Sequence, residues 1–295
     1  MRPLSVMTVI QVEITNACYL KCANCTRHVG HHRKPFFMEL DQVRRAIDSL
    51  EGFPGRIGLM GGEPTMHPKF AEICKIYQEM IPDRRRREFW TSGWRWDEYK
   101  DVINETFDPD LIAFNDHTAP GGRHQPLLVA IDDVVDDKAL MWNLIDNCWI
   151  QNQWSASITP KGAFFCEVAA SVDYLFAGEG GWPVEKGWWK RVPADFKSQS
   201  ERLCVKCSGA LPLQRPSDGF GGRHGPTIDV ISKGNVERLR ALKSPKVARG
   251  HFEEYDKKYT MEDLQKNIED WNPSHFRDFI AHRPEDVPRT GTDAD

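Results

Sequence analysis

No apolar run in this 295-residue chain approaches the roughly 20 residues that a membrane-spanning helix needs. Met1 to Gln11 lacks a charged stretch leading into a long apolar segment and a small-residue cleavage site, so the sequence predicts no secretory signal. Neither sign of charge dominates. The 39 Lys and Arg stand against 43 Asp and Glu, a formal −4 that gives no electrostatic reason to expect a nucleic-acid partner. The one basic run, Arg84-Arg85-Arg86-Arg87, reads as a solvated loop face. There is no internal repeat and no long low-complexity segment. At 40% hydrophobic and 28% charged residues, the chain can bury a sizeable core and is not disordered throughout. Its eight cysteines, without a secretory signal, point to a reducing cytoplasm, where clustered thiols are metal ligands more often than disulfides.

Short apolar runs alternate with helical periodicity in the first half. Val9 to Ile14 predicts a strand, and Val43, Ala46, Ile47 and Leu50 fall on one helix face. A strand from Arg56 to Met60 leads into a helix with Phe70, Ile73, Cys74, Tyr77 and Ile81 on one side. Further strands are expected at Glu88–Thr91, Leu111–Asn115 and Leu127–Ile131. Such alternation implies βα units and a parallel sheet. After about residue 146, tryptophan and glycine become dense. Thr159-Pro160-Lys161-Gly162 marks a hairpin turn within a loop-rich module, and a last helix is expected over Met261–Trp271. The predicted division is 1–146, 147–225, 226–282 and a frayed tail over 283–295.

Three thiols stand in eight residues after the first strand: Cys18-Tyr-Leu-Lys-Cys22-Ala-Asn-Cys25. Thiolates select zinc or iron–sulfur clusters. Three ligands leave one iron of a four-iron cubane open, as a catalytic site requires, and no fourth cysteine lies nearby to close a zinc tetrahedron. Gly61-Gly62-Glu63-Pro64 follows the second strand, Thr91-Ser92-Gly93 the third, and Asn115 and Asp116 end the fourth. In a parallel barrel all four segments converge on the carboxyl edge of the sheet. His117, Arg123 and His124 follow on the same rim, as substrate or proton-transfer groups or as plain loop residues. Cys148, Cys166 and the pair Cys204-Val-Lys-Cys207 flank the hairpin and could enclose a second four-iron cluster or a zinc ion, whereas Cys74 reads as core packing.

The Cys-x3-Cys-x2-Cys loop, with the glycine segment at its offset, resembles the radical S-adenosylmethionine (radical SAM) superfamily. The later four cysteines resemble the twitch domain, a shortened SPASM domain. Together the resemblance spans roughly residues 8 to 210. It implies an α/β fold: a partial (β/α)6 TIM-type barrel, a small loop-rich domain holding an auxiliary cluster, and a C-terminal helix. It also implies a four-iron cluster on Cys18, Cys22 and Cys25 whose open iron chelates S-adenosylmethionine. Electron transfer to the sulfonium would yield a 5′-deoxyadenosyl radical, with Gly61, Gly62, Glu63, Pro64, Ser92, Asn115 and Asp116 around the cofactor. A second cluster would sit on Cys148, Cys166, Cys204 and Cys207, and a low-potential donor such as flavodoxin or ferredoxin would supply electrons. Asn24 departs from the pattern, which commonly has an aromatic residue there.

Twitch-bearing relatives include enzymes that oxidise aminocyclitols. On that model the chain oxidises or epimerises a small polar metabolite, with Trp182 to Trp189 available for stacking on a sugar-like ring and His117 or Glu167 as the proton-handling group. Modification of a ribosomal precursor peptide is the alternative, although only about ten residues precede the first strand and none suits leader binding. A non-enzymatic zinc-binding protein is the third reading.

Overall fold

The computed structural model describes residues 1–115, 124–213, 228–270 and 280–281. Strand β1 (Val9–Thr15) leads through the long cysteine loop to helix α1 (Leu40–Ser49). Glu39 and Gln42 form a capping box at its start, and Val43, Ala46 and Ile47 are buried as their spacing predicts. Then come β2 (Arg56–Gly61), α2 (Phe70–Met80), β3 (Arg87–Thr91), α3 (Trp96–Thr106) and β4 (Ile112–Asn115). These four strands are parallel neighbours in order.

Alternation along the strands separates two environments. Ile10, Val12, Ile14, Ile57, Leu59 and Phe89 join the core that includes buried residues of α1 and α2. The opposite face is polar, with Gln11, Glu13 and Glu88 buried there. Glu88 accepts from Arg56 Nε at 2.6 Å and from Trp90 Nε1 at 2.6 Å. At Gly58, any Cβ would lie 2.0 Å from Gln11 Oε1, so only glycine lets that side chain lie inward.

The chain continues through α4 (Ile131–Val134), α5 (Lys138–Asp146) and α6 (Trp149–Gln153) to the expected hairpin, β5 (Ala156–Thr159) and β6 (Gly162–Phe164). Its glycine has φ 122°. The hairpin belongs to the main sheet: β5 runs parallel to β1, and the strand order is β6-β5-β1-β2-β3-β4 with β9 (Ile280–Ala281) antiparallel on the far edge. This is an α/β fold with a parallel-dominated central sheet. Among the described residues it holds five parallel strands. The fifth strand that the sequence predicts, at Leu127–Ile131, is reduced to a single bridge between Leu128 and Ile231, because Ile131 already starts α4.

Helices α7 (Glu167–Leu175) and α8 (Lys197–Leu203) complete the cysteine-bearing module. A βα unit then follows: β7 (Asp229–Ser232), α9 (Lys233–Ala241), α10 (Pro245–Ala248) and β8 (Phe252–Tyr255), with β7 parallel to β8. Helix α11 (Met261–Asp270) matches the expected last helix. The tail expected to be frayed lies outside the described residues.

The arginine run is not a solvated face. Arg84 donates to the carbonyls of Asn104 and Phe107, and Arg86 to those of Phe53 and Gly55. Arg87 spans Ile81 O at 2.7 Å, Thr106 O at 2.8 Å, and the carbonyls of Gln78 and Pro82. The carbonyls that Arg84 and Arg87 reach lie at or just past the ends of α2 and α3, where intrahelical donors run out, and those that Arg86 reaches lie in the loop before β2. Only Arg85 is fully solvated, at 83% side-chain exposure. Arg87→Met is expected to cost about 2 kcal/mol, the scale of hydrogen bonds to a charged group. A thermal melt checks this, with Tm falling by about 5 °C for a chain of this size while Arg85→Met leaves it unchanged.

Candidate functional site: two sets of buried thiols

The carboxyl ends of β1 to β4 share one edge of the sheet, and the cysteine loop rises from the first of them. Thr15 and Asn16 fix its base. Thr15 Oγ1 donates to Phe36 O at 2.6 Å, and Asn16 Oδ1 accepts from the Phe36 amide at 2.8 Å. Tyr19 stacks on Trp94 at a centroid distance of 4.2 Å, joining the loop to the end of β3.

All eight cysteines are free. Cys18, Cys22 and Cys25 lie close enough to affect one another electrostatically, and burial pushes all three thiols up, Cys22 to about 11. Backbone N–H groups already face all three sulfurs: Leu20 at Cys18, the residue's own amide at Cys22, and Val29 and Arg27 at Cys25. Such donors suit a thiolate acceptor and tune an iron–sulfur centre.

The glycine segment follows directly. A Cβ at Gly61 would meet Thr15 O at 2.3 Å, and one at Gly62 would meet Ala17 O at 2.4 Å. The chain's own backbone therefore uses this clearance: the Gly62 amide donates to Thr15 O, and that of Glu63 to Ala17 O at 2.7 Å. Glu63 is fully buried. It accepts from the Thr65 amide and hydroxyl, from Thr91 Oγ1 at 2.8 Å, and from the Ser92 amide and hydroxyl at 2.8 and 2.6 Å. Glu63 and Ser92 thus tie the end of β2 to the end of β3, with their side chains occupied by one another. Pro64 opens a short 3-10 turn. Asn115 is half-buried at the end of β4, whereas Asp116, His117 and Arg123 lie outside the described residues.

The other four thiols meet in one cavity. Cys148, Cys166, Cys204 and Cys207 line a space of about 410 Å³ whose remaining wall is largely apolar, including Ile145, Ile150, Phe165, Val168 and Leu203. Cys148 is the N-cap of α6 and Cys166 the N-cap of α7, so backbone amides face their sulfurs. Gly209 donates its amide to Cys207 Sγ at 3.1 Å. Burial pushes every one of these thiols up, Cys207 to about 12. Among the described residues no three His, Cys, Asp or Glu side chains are grouped closely enough to hold a single metal ion as they stand. Four soft donors lining one apolar, amide-faced cavity are nonetheless the donor set a larger thiolate-bound centre would need, its charge offsetting the cost of forming thiolates. Cys74 is buried on α2 within the core.

Arg27 connects the two thiol sets. Its guanidinium donates to Glu13 Oε1 at 2.7 Å, to Glu167 O at 3.0 Å and to Glu167 Oε1 at 2.5 Å, and it lies within electrostatic range of Cys25 and Cys166. Burial disfavours the charge on Arg27, but Glu13 and Glu167 outweigh it and hold its pKa above the ordinary value. Glu167, a candidate base in the sequence, is 8% exposed and engaged by Arg27 and Ser155 Oγ. His124 is buried. Two of the three tryptophans of the 182–189 stretch are not free for stacking on a sugar, whereas Trp182 is half-buried and lines an open pocket with Gln42, Arg45 and Lys161. Trp188 and Trp189 are buried and donate to Ser49 Oγ and Glu51 O, and Trp182 packs on Trp188 and Phe196.

Residues 12–126 match the family model of the radical SAM superfamily. No curated protein matches the chain. Among solved structures, the chain is similar to the crystal structure of BtrN in complex with AdoMet and 2-DOIA. Identity is 16% over 68% of this chain and 88% of that one, with a TM-score of 0.44. It is also similar to selenomethionine BtrN in an open conformation, at 16% identity over 72% and 96% of the two chains and a TM-score of 0.40.

Proposed function

We propose that the chain is a radical SAM enzyme with two four-iron clusters that acts on a small polar metabolite, a reading supported by the match of residues 12–126 to the radical SAM family model. The observation that carries this reading is the convergence of Cys148, Cys166, Cys204 and Cys207 on one cavity, apart from the loop of Cys18, Cys22 and Cys25. Three thiols hold the catalytic cluster with one iron open, and four close the auxiliary one. When bound, the catalytic cluster and S-adenosylmethionine supply a 5′-deoxyadenosyl radical.

The protein's share is positioning and shielding. Thr15, Asn16 and Glu63 set the strand ends and the base of the loop, and the Tyr19–Trp94 stack covers its flank. Arg27 places a fixed positive charge between two centres that become anionic when ligated by thiolates. The polar sheet face with Gln11, Glu88 and Trp90 suits a hydroxyl- or amine-bearing substrate such as a sugar or aminocyclitol. Oxidation of a carbinol carbon to a ketone would remove a hydrogen atom, one electron and the hydroxyl proton. Cys148, Cys166, Cys204 and Cys207 would hold the group able to accept the electron, the proton would pass to solvent, and a flavodoxin or ferredoxin would supply the reducing electron.

Anaerobically reconstituted protein is expected to carry about eight irons with matching sulfide, four per cluster. Deuterium should then move from one member of a labelled polar-metabolite panel into 5′-deoxyadenosine. Zinc without sulfide would remove the two-cluster reading, and label moving only from peptides would replace the substrate class.

A further inference from the structure

The unit formed by β7, α9, α10 and β8 reaches both cysteine loops, and nothing in its sequence announced a role. Asp229, the first residue of β7, accepts from the Asn24 amide at 2.5 Å, from Lys246 Nζ at 2.7 Å, and pairs with His31 Nε2 at 2.7 Å. Lys246 on α10 also donates to Cys22 O at 3.2 Å. The Val230 amide donates to Asn24 Oδ1 at 3.0 Å, and Ser244 Oγ pairs with His31 Nδ1 at 2.8 Å. All of these groups sit within or just after the Cys18–Cys25 loop or on the C-terminal unit, and the Lys246 and Asp229 side chains are both 3% exposed.

The same unit touches the second set. Asn235 on α9, fully buried, donates its amide to Lys206 O at 2.9 Å and to Leu128 O at 2.8 Å. Lys206 lies in the gap between Cys204 and Cys207. One compact unit therefore bonds to the backbone between the ligands of each proposed cluster through different side chains. A buried ion pair is a costly way to join two segments, and this one stands beside a cysteine in a loop with little regular structure of its own. The pairing also accounts for Asn24: at φ 52° it occupies the left-handed region that asparagine tolerates, and its side chain accepts from β7.

We propose that the C-terminal unit is a clamp that holds both cysteine loops in ligating geometry, with Lys246 and Asp229 positioning the Cys22–Cys25 segment and Asn235 positioning the Cys204–Cys207 pair. The proposal rests on the two-cluster reading for its consequence but not for its geometry. Two measurements on the full chain separate them. In metal-free protein, hydrogen exchange over residues 18–32 is expected to accelerate in Lys246→Met and in Asn24→Gly, while β1 to β4 stay protected. Asn24→Gly keeps the backbone conformation and removes only the side-chain bonds, so it serves where Lys246→Met folds poorly. In reconstituted protein, Lys246→Met should lose to a chelator, about tenfold faster, the half of the iron whose electron-paramagnetic signal responds to S-adenosylmethionine; such a factor is usual when an outer partner of a metal site is removed. Asn235→Ala should instead accelerate loss of the other half, and Lys246→Arg should restore most of the retention. Unchanged exchange over residues 18–32 overturns the clamp, as does parallel loss of both halves in each variant. Normal clamp behaviour in metal-free protein from a chain that takes up no iron removes the cluster reading instead.

Discussion

Cys18→Ala is expected to reduce 5′-deoxyadenosine formation to background while the chain stays folded. Cys18 is one of three thiols in the loop, and burial keeps each of them from ionising unless a cation offsets the cost. Two thiolates cannot hold four irons against a chelating cofactor, and no other described cysteine belongs to this group. Iron should fall from about eight to about four per chain, the remainder being the auxiliary cluster. Cys74→Ala is the matched control. It removes a buried thiol from the core face of α2, which should cost about 1 kcal/mol as a small cavity and leave both iron content and cofactor cleavage intact. Mass-spectrometric measurement of 5′-deoxyadenosine under reducing anaerobic conditions decides the matter. Cleavage that persists in Cys18→Ala would mean that the catalytic cluster lies elsewhere.

What could be read from the sequence was whatever depends on local periodicity and spacing. The helix faces of α1 and α2 and the turn at Gly162 follow from side-chain period and glycine chemistry, and the structure reproduces them. The fifth predicted strand failed because an apolar run of five residues does not distinguish a strand from a buried segment entering a helix; Leu127 to Ile131 is the latter. The arginine run was misread for a related reason. Charge in a row suggests solvent, yet the guanidinium groups reach carbonyls up to 33 positions away in the chain. Glu63 shows the same limit at the candidate site: its motif placed it at the strand end, but only the fold reveals that Thr91 and Ser92 occupy its oxygens. Arg27, Asp229 and Lys246 were missed altogether. The contacts of Asp229 and Lys246 with the cysteine loop span about 200 positions, and no spacing rule covers that distance. The run His28, His31 and His32 after the third cysteine was the one available hint.

Replacing Cys204 and Cys207 together by alanine should separate cofactor cleavage from product formation. The pair contributes half of the thiols lining the second cavity, so the double variant is expected to lose about four irons. The three-cysteine loop keeps its own ligands and its contact with Lys246, so uncoupled 5′-deoxyadenosine formation should persist. Substrate oxidation should fall to a small residue, because the radical product left after hydrogen abstraction has no acceptor for its second electron. The pH dependence of loading gives an independent check. Cys207 is pushed up to about 12 by burial, and the other three thiols of the cavity are raised for the same reason. Each must release its proton to ligate, so at fixed iron and sulfide the second cluster should load more completely as pH rises from about 7 to 9. That rise should vanish in the double variant and survive in Cys18→Ala. A double variant that still binds about eight irons and still forms product at the natural rate would dissociate these four thiols from any role in electron transfer.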